Sequence, residues 1–233
     1  MKPSTTIKFE NAGYYLLGLI ILVLLGFWNS YFSKIFSQSG DFNFYFHFHA
    51  IVAFLWILMV IIQPILIKRR QLGLHRRIGR LSYYLIGLIF ISVLLLVHHR
   101  HSINEENLGL RLLVPLKDLI ILGTVYFIAM KYRKNTAIHA RAMIASGLVF
   151  IEPSLLRTIR NYLDVPAPYM VTAFTVYLLL IVLTIISWKH KSGRWVFPFV
   201  LLMYLIVHGI LLSGIQIGVL ENFARWFIQL PLT

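Results

Sequence analysis

Five side chains of metal-ligating type stand inside or at the ends of apolar runs of this 233-residue chain: His49, His98, Asp118, Glu152 and His208. Placing such a group in a membrane span costs roughly 2.5–3.5 kcal/mol on insertion scales, which makes each a default candidate for function. At 1.5 Å per helical residue, His208 lies about 21 Å from the basic anchor Arg194, Asp118 about 20 Å from Lys131 and Glu152 about 17 Å from Arg141. Three segments thus bring a polar group to nearly one depth. His49 and His98 lie higher, about 28 and 27 Å from Lys68 and Arg80, and His47 and His101 carry that layer toward solvent. Imidazole with carboxylate is the ligand set of zinc, iron, manganese or copper(II), and with no cysteine present thiolate sites are excluded. The spacing predicts a transition-metal site (zinc, iron or copper) drawn from His49, His98, Asp118, Glu152 and His208, with His47 and His101 as outer candidates. Competing readings are local: Lys117 neutralising Asp118, Glu152 pairing with Arg157, His208 as a bonded core histidine, and the outer histidines among head groups.

Such a site would supply a metal-bound water or oxygen species for hydrolysis or oxidation of a lipid-like substrate, with Glu152 as general base. Pro153 removes the amide that would bond the Val149 carbonyl, which predicts a cavity beside Glu152. Arg157, one turn on, would contact an anionic group. Two alternatives use the same residues. A b-type haem linked to quinone could take His49 with His98 or His208 as axial ligands. Only one haem is then expected, because His75, His139 and His190 are read as loop residues. The other alternative is a non-catalytic subunit that handles metal or assists assembly of a larger complex.

The elements that position these groups follow from composition. Apolar residues make up 59% and charged residues 13%, with a mean hydropathy of +0.78, against roughly 45–50% and 25% in a soluble domain. Disorder, a disulfide scaffold and an ordinary cytosolic enzyme are excluded. A bilayer core takes about 20 apolar residues as a helix, and seven stretches qualify, at about 14–32, 49–67, 81–97, 112–130, 142–156, 169–188 and 195–213. The first is read as a retained helix rather than a cleaved signal peptide. Lys68, Arg69, Arg70, Arg76, Arg77 and Arg80, then Lys131, Arg133, Lys134 and Arg141, then Lys189, Lys191 and Arg194 fall in alternate loops, with Lys2 and Lys8 on the same side. That side is expected to be the cytoplasm, so the N-terminus is inside and the C-terminus outside. Most acids, Asp41 and Glu221 included, fall opposite, and Glu10 alone lies inside. The net charge of +14 is thereby read as membrane topology with anionic head groups as partners, not as nucleic-acid binding. Apolar positions Ile217, Leu220, Phe223, Phe227 and Leu230 predict an interfacial helix at about 217–230. The expectation is one all-α, seven-helix transmembrane domain over 1–233 in a bacterial cytoplasmic membrane, alone, as a homo-oligomer or within a larger complex.

A shift of 64 residues lays Arg69, Arg70, Leu74, His75 and Arg77 on Arg133, Lys134, Ile138, His139 and Arg141. Both copies read as a basic turn, then His-x-Arg opening a helix. The echo is either topological or an anion site, for lipid phosphate or a cofactor carboxylate, with Arg77 and Arg141 at paired helix starts. The run His75-Arg76-Arg77-Ile78-Gly79-Arg80 after Gln63-Pro64 resembles a signature of uncharacterised bacterial multi-pass membrane proteins. So does His139-Ala140-Arg141-Ala142-Met143 followed by Pro153 and Arg157. The likeness runs from about His47 to Arg160 and implies the architecture, with no established reaction. The second and third spans are more faintly similar to membrane proteins of haem–copper oxidase assembly.

Overall fold

A computed structural model describes residues 11–40, 42–189, 191–215 and 217–233. The expectations resting on Lys2, Lys8, Glu10, Asp41 and His190 lie outside the described residues. The chain forms α1 (Ala12–Phe27), a π-helical turn (Trp28–Phe32), α2 (Ser33–Phe36), α3 (Phe44–Lys68), α4 (Leu72–Arg100), α5 (Leu108–Lys131), α6 (Thr136–Leu148), α7 (Ile151–Tyr162), α8 (Pro168–Trp188), α9 (Val196–Ser213) and α10 (Gly218–Ile228). Among the described residues, seven helical stretches are long and apolar enough to cross a membrane, with Ala12–Phe36 and Thr136–Tyr162 each counting as one. The protein is a multi-pass, all-helical bundle. Its core is built around Trp56, Ile121, Leu122, Val125, Phe197 and Tyr204.

Several helices begin earlier than hydropathy predicts, α4 and α6 the most. His75 and His139, expected in loops, lie in the first turns of α4 and α6. The basic turns are tight enough for this: Arg70 takes the left-handed conformation at φ 60°, and Asn135 caps α6 by accepting from the Ile138 amide at 3.3 Å. Each histidine reaches back to the end of the preceding helix. His139 Nδ1 pairs with the Ala129 carbonyl at 2.9 Å, and the Gln63 amide, oriented for bonding, donates to His75 Nδ1 and accepts from the Gly79 N–H at 3.1 Å. The internal echo therefore pins two hairpins. Arg77 is exposed, and the buried Arg141 donates to the Ala137 carbonyl at 2.9 Å.

The α10 helix packs Ala224 and Phe227 onto Val97, Leu108 and Leu112. Glu221, expected on the solvated face, instead accepts from the Gly109 amide at 2.7 Å, where the start of α5 presents unpaired N–H groups. Arg225 donates to the Ile103 carbonyl at 2.6 Å.

On the opposite flank α1 crosses α7 at Gly26, where an added Cβ would run into the Ser154 backbone carbonyl. Gly26→Ala is expected to lower stability by about 1–3 kcal/mol through overpacking. Gly18→Ala, in open space on the same helix, should leave it equal or slightly higher. Thermal unfolding of both variants in lipid nanodiscs checks this, and equal shifts would refute close packing at Gly26.

Candidate functional site

In the half of the bundle remote from the basic turns, four helices aim polar groups at one another. The fifth span is interrupted between α6 and α7, where the Phe150 amide turns back to the Gly147 carbonyl at 3.2 Å. Pro153 has no N–H to continue the ladder, so the chain restarts there as a new helix. Glu152 consequently sits in the first turn of α7, where the helix dipole favours a carboxylate, and its side chain is only 4% exposed. From α5, Lys117 reaches Glu152 Oε1 at 2.9 Å and Asp118 Oδ1 at 2.7 Å. Its side chain is 1% exposed, against 23% for Asp118. The ammonium thus bridges two carboxylates.

On the far oxygen of Glu152, at 3.3 Å, stands Nε2 of the fully buried His208 from α9. The two atoms are close enough to pair but are not aligned as a hydrogen bond. The other ring nitrogen, Nδ1, lies 2.7 Å from the Tyr177 hydroxyl of α8. Three tyrosine rings, Tyr169, Tyr177 and Tyr204, each lie 5.5 Å from the imidazole, and the Lys117 ammonium stands 5.7 Å from the Tyr204 ring centre. The hydroxyls of Tyr169 and Tyr204 are buried and make no hydrogen bond.

Asp118, Glu152 and His208 are therefore brought together, as their common depth predicts. The sequence offers Lys117 as a local neutraliser of Asp118, although adjacent helical residues point apart; the structure shows that it reaches Glu152 as well. Its four-carbon stem is long enough to face the core and still turn its ammonium sideways to Asp118. A lysine deep in a 24-residue apolar helix was itself the available signal. Arg157 does not pair with Glu152 as the local reading allowed: it donates to the Pro153 carbonyl at 2.8 Å and lies over the Phe27 ring at 4.5 Å.

The outer histidines go elsewhere. His49 Nδ1 lies 3.2 Å from the Ser92 hydroxyl, His47 Nδ1 lies 2.7 Å from the Tyr31 hydroxyl, and His98 Nδ1 lies 2.6 Å from the Thr233 hydroxyl. His101 bonds Glu105 at 2.9 Å. That bond, with the Ser102 amide, holds the Glu105 carboxyl below its ordinary range. Among the described residues, no three His, Asp or Glu side chains are grouped to hold a metal ion. Asp118, Glu152 and His208 have the right donor chemistry, but the Lys117 ammonium holds the point the two carboxylates share and His208 faces the other Glu152 oxygen.

Neither of the two principal surface cavities lies beside Glu152. One is an apolar groove of about 310 Å³ between α8 and α9, lined by Ile181, Thr184, Ile185, Pro198, Leu201 and Leu205. At helical spacing, Ile181 and Thr184 share a face with Tyr177, and Leu201 and Leu205 share one with His208. The lining of the groove begins one turn along α8 from Tyr177 and does not include Tyr177 or His208. The second cavity, lined by Glu106, Asn107, Glu221 and Arg225, lies at the α10 contact. Compared with known families, curated proteins and solved structures, the chain matches none.

Proposed function

We propose that the protein is a membrane enzyme that performs acid–base chemistry on an amphiphilic substrate, with Glu152 and His208 as the proton-handling pair. The single observation that carries this reading is the Lys117 ammonium held between Asp118 and Glu152 while His208 faces the other Glu152 oxygen. Packing alone gives little reason for such a cluster, since well-packed apolar residues commonly match or exceed the stability of a buried ion pair. Charged groups at this depth are, by contrast, what proton-handling sites in membranes use. The apolar groove between α8 and α9 supports a substrate with a hydrocarbon chain and a polar end. The location we propose is a bacterial inner membrane with the basic turns inside, which places the site in the outer half.

The test compares membranes expressing the wild type, Glu152→Gln or His208→Asn at matched levels. Total lipid and quinone extracts are resolved by chromatography with mass spectrometry. The wild type should consume or produce at least one amphiphile, and either variant should slow that conversion about 10²–10⁴-fold. Indistinguishable extracts from folded wild type and variants would overturn the proposal.

The second reading keeps the expected metal-dependent enzyme. It is favoured by one feature, two carboxylates already converging on a cation, and requires Lys117 to give up that position to the ion. The donor set Asp118, Glu152 and His208 would then hold zinc or iron, which would act as a Lewis acid.

A further inference from the structure

The histidine of the site has a neighbour on both sides, a carboxylate within pairing distance on one and a hydrogen-bonded hydroxyl on the other. Glu152, His208 and Tyr177 form a file of carboxylate, imidazole and phenol, with Nε2 toward Glu152 at 3.3 Å and Nδ1 2.7 Å from the Tyr177 oxygen. This is the order in which an acid residue orients a base and the base activates a hydroxyl. Tyr177 is also the end of the file that is only partly buried, whereas Glu152 and His208 are closed in. It shares its helix face with Ile181 and Thr184 at the wall of the apolar groove. The groups against His208 are Glu152 from α7, Tyr169 and Tyr177 from α8 and Tyr204 from α9 itself, and behind Glu152 stand Lys117 and Asp118 from α5.

We propose that Tyr177 is a catalytic residue, the hydroxyl that meets the substrate, activated by His208 as general base. This rests on the acid–base reading above and assigns the reacting atom within it. With the Nε2 proton directed at Glu152, Nδ1 is free to accept from the Tyr177 hydroxyl. As a substrate X–H bond breaks, its proton goes to the Tyr177 oxygen and the original phenolic proton moves to Nδ1. The electron pair stays on X, and the imidazolium so formed is balanced by the Glu152 carboxylate. The return step reverses each transfer, so no redox partner is needed. The substrate class is an amphiphile with an acidic X–H next to its polar end, its chain lying along α8 and α9.

A membrane-soluble aryl sulfonyl fluoride probes the hydroxyl without knowledge of the substrate. The tyrosine oxygen displaces fluoride, an O–S bond forms as the S–F bond breaks, and the phenolic proton passes to His208. Peptide mass spectrometry of labelled membranes should find Tyr177 modified in preference to the exposed Tyr84 and Tyr162. His208→Asn should slow labelling at Tyr177 roughly a hundredfold and leave Tyr84 and Tyr162 unchanged. Glu152→Gln serves as the second variant if His208→Asn misfolds. Labelling of Tyr177 no faster than of Tyr84, or insensitive to both variants, overturns the assignment. Lipid extracts that distinguish wild type from Glu152→Gln while Tyr177→Phe behaves as wild type would also overturn it and leave the acid–base reading standing. His208-dependent labelling with featureless lipid extracts would instead uphold the activated hydroxyl and overturn the enzyme reading.

Discussion

Glu152→Leu is expected to destabilise the protein by about 3–5 kcal/mol, the cost of leaving a buried charge without its partner. The stranded group is Lys117, whose side chain is 1% exposed and which keeps only Asp118, on the more open side of the site. Lys117→Met should cost less. It leaves Glu152 beside His208 at 3.3 Å, and that pair can share a proton. Combining the two substitutions should recover stability relative to Glu152→Leu alone, because apolar side chains of similar volume then fill the space that the ion pair occupied. Thermal unfolding of the three variants in lipid nanodiscs, read as a double-mutant cycle, measures the coupling. Additive losses would mean that the 2.9 Å contact between Lys117 and Glu152 carries no energy of its own.

Removing the ammonium should also convert the site into a metal site. In the wild type, Lys117 Nζ lies within 2.9 Å of oxygens from both Asp118 and Glu152, and a cation already neutralises them. Lys117→Ala leaves the Asp118 and Glu152 carboxylates around the vacated position, with His208 3.3 Å from the other Glu152 oxygen. Zinc binds such oxygens at about 2.0–2.2 Å and imidazole nitrogen at about 2.0–2.1 Å, so the two carboxylates must draw inward by somewhat under an ångström and His208 must turn from the other Glu152 oxygen to the ion. The expected result is no stoichiometric transition metal with purified wild type, one zinc per chain with Lys117→Ala, and loss of that zinc when His208→Ala is added. Elemental analysis of the three proteins decides it. Stoichiometric metal in the wild type, lost in His208→Ala, would reverse the argument and make the metal-dependent reading the right one.

Both experiments turn on Lys117, and its neglect in the sequence reading has a physical cause. Depth along a helix follows from counting residues, because each adds 1.5 Å whatever surrounds it. That is why Asp118, Glu152 and His208 could be placed at one level. Which way each helix is turned depends on its neighbours. Depth sets His49 and His98 in a higher layer, but only helix rotation shows that they turn to Ser92 and Thr233 rather than to the residues that converge. Depth alone could not reveal Tyr177 or Tyr204, since tyrosine in an apolar run is unremarkable until its hydroxyl is seen against a base.

Composition and hydropathy by themselves determined a seven-span helical bundle with its basic turns at one end, because backbone satisfaction in hydrocarbon leaves a chain of this composition few other options. They also determined that polar groups would meet at a common level away from those turns. Only the tertiary structure decided which groups meet and in what order: an ammonium between two carboxylates, then an imidazole, then a phenol. Helix rotation and the break before Pro153 set that order, through packing contacts made by residues far apart in the chain.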